Sequence, residues 1–152
     1  MDTSIVRPPT WLRWLAVAVA AGGIFVASVL DPPSSGVPSV GPFGLLGMDK
    51  WLHAFAYAGL AGALATALAP GHRPAVTASR GPAVTAALAG LLAVGYGVGI
   101  EFVQAPLPER SFSVLDMAAN ATGAVVAVLG WRLLVEFVGG SRGHRESSES
   151  EV

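Results

Sequence analysis

The sequence predicts an all-α integral membrane protein, a four-helix bundle with both termini in the cytoplasm. Its composition is the first observation behind this prediction, because 53% of the 152 residues are hydrophobic and only 12% are charged. A soluble domain averages about 25% charged residues, so the chain has about half of the usual solubilising charge. The second observation is the succession of four long apolar segments, which proline- or glycine-rich stretches separate.

Each apolar segment has about the 20 residues that a helix needs to cross the hydrocarbon core of a bilayer. Lipid offers no partner to backbone N–H and C=O groups, and four segments are too few to close a barrel, so all four are predicted as helices. Turn-forming sequences rich in proline and glycine end the first three segments. The predicted spans are 11–30, 50–69, 83–103 and 116–138.

The first span follows two arginines and contains Val26-Ala27-Ser28, as the cleavage site of a signal peptide does. Its uncharged run is longer than the ~7–15 residues of a signal-peptide core, so we expect the helix to be retained. The predicted organisation is therefore a cytoplasmic N-terminus (1–10), a transmembrane domain (11–138) and a cytoplasmic tail (139–152). We expect the tail to be disordered because its composition gives it nothing to bury.

The basic residues predict the orientation of the bundle. In a four-span topology, seven of the nine Lys and Arg residues fall on one side, and only Lys50 and Arg110 fall on the other. The positive-inside rule assigns the richer side to the cytoplasm. Both termini then lie inside, and the loops 31–49 and 104–115 face outward.

Polar residues of three helices share the outer end of this bundle. Spacings of three or four residues put them on one face of each helix. A charge at the centre of a membrane helix costs ~2.5–3.5 kcal/mol, and pairing with opposite charges lowers that cost. The sequence therefore predicts an outer polar pocket made of Asp49, Lys50, His53, Tyr57, Glu101, Gln104, Arg110, Ser113, Asp116 and Asn120.

Structural roles remain open for several of these residues. Ser113 or Asp116 can cap the fourth helix, Lys50 can extend to lipid head groups, and Asn120 can hold helices together by a hydrogen bond. No metal site and no cofactor are predicted, because the outer pocket has one histidine, His53, and no close ligand motif, which is a weak metal signal. The chain has no cysteine for thiolate chemistry and no basic stripe for nucleic acid.

Three motifs, in the same order along the chain, resemble those of the VanZ-like membrane proteins. Residues 49–57 match D-K-x-x-H-x-x-x-Y, residues 101–104 match E-x-x-Q, and residues 110–123 match R-x-x-S-x-x-D-x-x-x-N-x-x-G. The resemblance covers about 49–130. It implies a four-helix membrane protein of a family named after a member associated with low-level teicoplanin resistance, and it implies no general biochemical activity.

Three functions are compatible with these features. In the first, the outer pocket binds a membrane lipid head group, a lipid-linked precursor or a partner membrane protein. In the second, the protein is a membrane-embedded enzyme that acts on a lipid-linked phosphate substrate. His53 would then be the general acid/base, oriented by Asp49 or Asp116, while Lys50 and Arg110 hold the phosphate. Transport is a third possibility, but four short helices leave little room for a pathway in a monomer.

Overall fold

A computed structural model describes residues 8–30, 40–69, 81–107 and 112–149, with the side chains of the last helix described up to 138. Its elements are a first helix with an α-helical part, α1 (Thr10–Phe25), and a π-helical turn (Val26–Leu30), then a 3₁₀ turn (Pro42–Gly44). Three long helices follow, α2 (Met48–Leu68), α3 (Pro82–Gln104) and α4 (Val114–Glu149). The described residues contain no strand.

The prediction of four helices is confirmed. Within the described residues, four helical stretches are long and apolar enough to cross a membrane, at Thr10–Leu30, Met48–Leu68, Pro82–Gln104 and Val114–Val138. Each predicted boundary lies within two residues of the observed one, except at the end of the fourth helix. There α4 continues to Glu149, across part of the stretch that we predicted to be disordered. No proline interrupts 114–149, so nothing in the sequence prevents the backbone from remaining helical.

The interior of the bundle is built from small residues. Seven of the buried apolar residues are alanines, which α2, α3 and α4 all contribute, whereas large apolar side chains such as Leu91, Leu133 and Phe137 are exposed. Small residues let helix backbones approach closely, and this close contact is the main source of helix association in lipid. A soluble bundle would bury its large apolar side chains, so this distribution is the one expected of a bundle surrounded by lipid.

Gly123 sets the contact between α2 and α4. A β-carbon at this position would collide with the backbone carbonyl of Ala54, so the two helices touch at the level of their backbones. α3 packs on both of these helices, and α1 packs on α2.

The side chains of Arg13 and Tyr96 make hydrogen bonds that hold the first helix against its neighbours. Arg13 donates through Nη1 to the carbonyl oxygens of Thr66 (3.0 Å) and Ala69 (3.1 Å), which satisfies carbonyls at the end of α2. The Tyr96 hydroxyl of α3 donates to the carbonyl oxygen of Ala21 at 2.7 Å. Helix 1 is thus joined to both α2 and α3.

Candidate functional site

The predicted site residues come from one end of the bundle, which we call the polar end. α2 and α4 begin there, α3 ends there, and the π-helical turn of helix 1 lies at the same end. α2 supplies Asp49, Lys50, His53 and Tyr57, α3 supplies Glu101 and Gln104, and α4 supplies Asp116 and Asn120. The alternating direction of the helices therefore brings together residues that lie almost 70 positions apart in the chain.

Lys50 joins two carboxylates at the polar end. Its ammonium contacts Asp49 Oδ2 at 2.6 Å and also forms an ion pair with Asp116 Oδ1 across the α2–α4 contact. The Lys50 side chain is 17% exposed and that of Asp116 18%, whereas the Asp49 side chain is largely exposed. The pair with Asp116 is therefore the more sheltered of the two, and it neutralises a carboxylate near the start of a helix that is long and apolar enough to cross a membrane.

Asn120 fixes the ring of His53. The Nδ1 atom of His53 lies 3.0 Å from Asn120 Oδ1, and the amide oxygen can only accept, so Nδ1 carries the hydrogen and donates. The other ring nitrogen, Nε2, lies 3.9 Å from Asp116 Oδ2. The ring is 25% exposed. His53 is thus the most accessible polar group in this sheltered part of the site, and its orientation is set by a neighbouring helix.

Glu101 is connected to Asp116 through Ser113. The Glu101 residue is 1% exposed, and its Oε2 accepts the backbone N–H of Ser113 at 2.9 Å. The Ser113 hydroxyl in turn accepts the backbone N–H of Asp116 at 3.2 Å, so Ser113 is the N-cap of α4. The sequence left open whether Ser113 or Asp116 caps the fourth helix, and in the structure Ser113 is the capping residue. Asp116 is free to pair with Lys50.

Tyr57 lies one turn deeper than His53, over a glycine of α3. A β-carbon at Gly97 would be 2.9 Å from Tyr57 Cε1 and 3.1 Å from Asn120 Nδ2, so the tyrosine ring and the asparagine amide meet above this glycine. Tyr57 is 1% exposed, and its hydroxyl has no hydrogen-bond partner among the described residues. The glycine therefore provides the space in which these two polar side chains lie.

Among the described residues, the Gln104 side chain makes its hydrogen bond with the first helix. Its Nε2 donates to the carbonyl oxygen of Ser28 at 2.7 Å, and the bond is buried. Ser28 belongs to the π-helical turn, where the regular ladder of backbone bonds is altered. Gln104 thus holds helix 1 against α3.

Arg110 lies outside the described residues. A metal-binding group is not formed in the described part of the chain, because no three His, Cys, Asp or Glu side chains there are close enough to share an ion.

Sequence reasoning missed several residues that shape the polar end. Ser28 acts through its backbone carbonyl, which no side-chain motif reveals, and the π-helical turn has no local signal in the sequence. Gly41 precedes the 3₁₀ turn, and a β-carbon there would collide with the ring of Trp51. Its backbone N–H donates to the carbonyl oxygen of Leu46 at 2.7 Å, which closes the short loop before α2. The proline and glycines of this loop were the available signal for a tight turn.

Together these contacts form one continuous polar network. It runs from Glu101 through Ser113 to Asp116, and from there to Lys50 with Asp49 on one side and to His53 with Asn120 on the other. Seven of the ten predicted residues belong to it. Chemically, the network offers carboxylate acceptors, an ammonium that is already paired, and one oriented imidazole. Comparisons with protein-family models, with curated proteins and with solved structures find no match to this chain.

Proposed function

We propose that the chain is a multi-pass protein of the cell membrane and that its polar end binds a lipid head group. In this proposal the polar end faces outward, both termini are cytoplasmic, and the bound molecule is a membrane lipid, a lipid-linked precursor or a partner membrane protein. The orientation follows from the distribution of basic residues. Head-group binding follows from the network at the polar end.

One observation carries this proposal: the polar network is only partly enclosed by its helices. Glu101 and Asn120 are buried, whereas the side chains of His53, Lys50 and Asp116 are each about one-fifth exposed and that of Asp49 is 57% exposed. A purely structural network in a membrane bundle is expected to be enclosed by its helices, because polar groups that face lipid are costly. The exposed members belong to the first turns of α2 and α4, and the ends of membrane spans lie at the depth of the lipid head groups.

We further propose that the protein is a VanZ-like membrane protein. The three motifs that carry the resemblance contribute the residues of the network. The spacing of three or four residues within each motif puts its polar side chains on one face of a helix. The second and third motifs meet in the bond between Glu101 and Ser113, and the first and third meet in the pairs Lys50–Asp116 and His53–Asn120. The association of that family with glycopeptide resistance is not part of the proposal.

The test is to identify lipids that remain bound to the purified full chain by mass spectrometry. We expect the wild-type chain to retain lipid, and His53→Ala and Glu101→Gln to retain less while their helical content and thermal unfolding stay close to wild type. Glu136→Gln is the matched control, because Glu136 pairs with the exposed Arg132 on α4, about four turns beyond the last network residue, Asn120. Unfolding of both site variants would show that the network is structural and would contradict the proposal.

A second function, membrane-embedded catalysis on a lipid-linked phosphate, is favoured by the geometry of His53. Its Nδ1 is engaged by Asn120, which leaves Nε2 as the nitrogen that can exchange a proton with a substrate. The sequence suggested Asp49 or Asp116 as the orienting group, and in the structure Asn120 makes that contact. Lys50, which was expected to hold the phosphate, is paired with two carboxylates.

Catalysis is tested by release of phosphate from a lipid-linked phosphate by the full chain in detergent. An enzyme would lose its activity in His53→Ala and keep it in Glu136→Gln. Equal, background release from both variants and from the wild type would contradict the catalytic function and leave head-group binding in place.

A further inference from the structure

A groove of about 300 Å³ lies between helix 1 and α2, at the end of the bundle opposite the polar end. It extends about one helical turn, or ~5.4 Å, along the two helices towards their centres. The Thr66 hydroxyl donates to the carbonyl oxygen of Gly62 within α2 at 2.8 Å, so its hydrogen is already used. The groove therefore offers a ligand mainly apolar contacts and one guanidinium. Its lining includes Leu12, Arg13, Ala16, Gly62, Ala63 and Thr66.

Arg13 lines this groove with a positive charge that no described carboxylate neutralises. Its guanidinium donates to neutral oxygens, the carbonyls of Thr66 and Ala69 and the hydroxyl of Thr10, and it forms no ion pair within the described ranges. A guanidinium has five N–H groups, so two remain. One belongs to Nη2, whose bond to Thr10 is exposed, and the other is the buried Nε–H, which has no partner there. The charge is thus available to an anion.

The sequence around the groove adds positive charge. After Asp2 the next acidic residue is Asp31, and after Asp49 the next is Glu101, so the segments that form helix 1, α2 and the connection to α3 contain no carboxylate. Three further arginines lie in the same stretches of sequence, on the side of the predicted topology to which Arg13 belongs. This excess of positive charge favours an anionic ligand. The three are Arg7, Arg73 and Arg80.

The position of Arg13 along the helices suits the phosphate of a phospholipid. Thr10–Leu30 and Met48–Leu68 are both long and apolar enough to cross a membrane, and Arg13 lies in the first turn of the one and binds carbonyls at the end of the other. The ends of membrane spans lie near the lipid head groups, and a long basic side chain can extend to that level. An acyl chain points from there towards the bilayer centre, which is also the direction of the groove.

We infer that this groove binds a phospholipid with a net negative head group, whose phosphate contacts the Arg13 guanidinium while one acyl chain lies between helix 1 and α2. Basic sites between membrane helices bind anionic lipids in this way. In a choline lipid the phosphate is balanced by the lipid's own quaternary ammonium, so a lipid without that cation gains more from Arg13. The inference rests on the proposed membrane location and not on head-group binding at the polar end.

The experiment compares two lipids by native mass spectrometry of the full chain in detergent. Dioleoylphosphatidylglycerol and dioleoylphosphatidylcholine have the same acyl chains and differ in net charge. We expect the glycerol lipid to bind about fivefold more tightly, which corresponds to the ~1 kcal/mol that a basic residue near the membrane surface contributes to anionic-lipid binding. An excess of inorganic phosphate is expected not to displace it, because free phosphate makes no contact with the apolar walls of the groove.

Two pairs of variants locate the site. Arg13→Gln is expected to reduce the preference to about one, whereas Arg132→Gln, which removes an exposed positive charge from α4, leaves it unchanged. Because Arg13 also holds helix 1, the second pair keeps it in place. A β-carbon at Gly62 meets nothing within 4 Å, so Gly62→Leu fills the groove and is expected to weaken binding of the glycerol lipid. Gly95→Leu, at an equally open position of α3, is expected to bind it like the wild type.

Three results would overturn the inference. Equal binding of the two lipids would show that net charge is not recognised, and displacement by inorganic phosphate would show a site for free anions. Unchanged binding of the glycerol lipid to Gly62→Leu would place the lipid outside the groove. His53→Ala is expected to keep the preference, and its loss in that variant would assign the anionic lipid to the polar end, which would contradict this site and support head-group binding there.

Discussion

Gly97, whose side chain is a single hydrogen atom, leaves room for two polar side chains of the candidate site. A β-carbon there would lie 2.9 Å from the Tyr57 ring and 3.1 Å from the Asn120 amide, and both of these side chains are buried. We therefore expect Gly97→Ala to shift the Asn120 amide away from His53 and to lower the free energy of unfolding by ~1–3 kcal/mol, the usual cost of overpacking. The ¹⁵N shifts of the His53 ring and thermal unfolding in detergent measure the two effects.

The control for this substitution is Gly95→Ala on the same helix. A β-carbon at Gly95 meets nothing within 4 Å, so this variant is expected to unfold at the wild-type temperature or slightly above it, because alanine favours a helix over glycine. Equal stability of the two variants would show that the Tyr57 ring moves without cost, and it would contradict the packing argument.

At the scale of helices, α2 and α4 approach each other closely at Gly123. A β-carbon there meets the backbone of Ala54, which cannot move out of the way as a flexible side chain can. We expect Gly123→Ala to separate the helices and to destabilise the bundle by ~1–3 kcal/mol or more. Unfolding in mixed detergent micelles of increasing SDS content measures this change.

Gly130→Ala is the matched control, because it lies on the same helix two turns later with nothing within 4 Å of the added carbon. It is expected to be neutral or mildly stabilising. A Gly123→Ala variant as stable as Gly130→Ala would mean that α2 and α4 do not approach each other as described.

Gln104, like Tyr96, links helix 1 to α3 by a hydrogen bond. Gln104→Leu removes the only donor described for the buried Ser28 carbonyl, which costs ~1–3 kcal/mol locally. We expect the amides of Val26–Leu30 to exchange with deuterium about tenfold faster or more, while the centre of α2 is unchanged.

Thr122→Val is the control for the loss of a hydrogen bond as such. Its hydroxyl donates to the Ala118 carbonyl within α4 and joins no second helix, so exchange in helix 1 is expected to stay at the wild-type rate. Unchanged exchange in Gln104→Leu would show that helix 1 is held by its other contacts, such as those of Tyr96 and Arg13.

The elements differ in how far the sequence specified them. The four spans were predictable because lipid requires long apolar helices, and the helix faces of Asp49, His53, Glu101 and Asp116 followed from spacings of three and four residues. The contacts between helices were not predictable in the same way. Nothing in one sequence indicates that Asn120, and not Asp49, orients His53, because that choice depends on how α4 rotates against α2.

The same limit applies to Gln104 and to the end of α4. Gln104 is spaced three residues from Glu101 and therefore appeared to share its role, but its side chain reaches a carbonyl of helix 1. A backbone carbonyl is present at every residue, so sequence gives no sign of which one is used. We predicted the last apolar span to end at 138, and α4 continues past that residue to Glu149, because hydropathy marks apolar segments and not the residue at which a helix ends.

At the scale of the whole molecule, the arrangement of charges accounts for the two ends of the bundle. At the polar end, the ammonium of Lys50 is already paired with the carboxylates of Asp49 and Asp116. At the opposite end, Arg13 binds carbonyl oxygens and Arg132 pairs with one glutamate, while most other basic residues belong to the loops and the tail on that side. The positive-inside rule therefore predicts that this end is the cytoplasmic one.

This asymmetry gives a prediction about topology that the absence of cysteine makes simple to test. Leu45 is exposed in the loop at the polar end, and Pro8 is exposed at the opposite end. In intact cells, we expect Leu45→Cys to react with a membrane-impermeant maleimide and Pro8→Cys to react only after the cells are permeabilised. A reporter fused after Val152 should report the cytoplasm. The reverse labelling pattern would place the polar end inside, and the ligand proposed for it would then have to come from the inner leaflet.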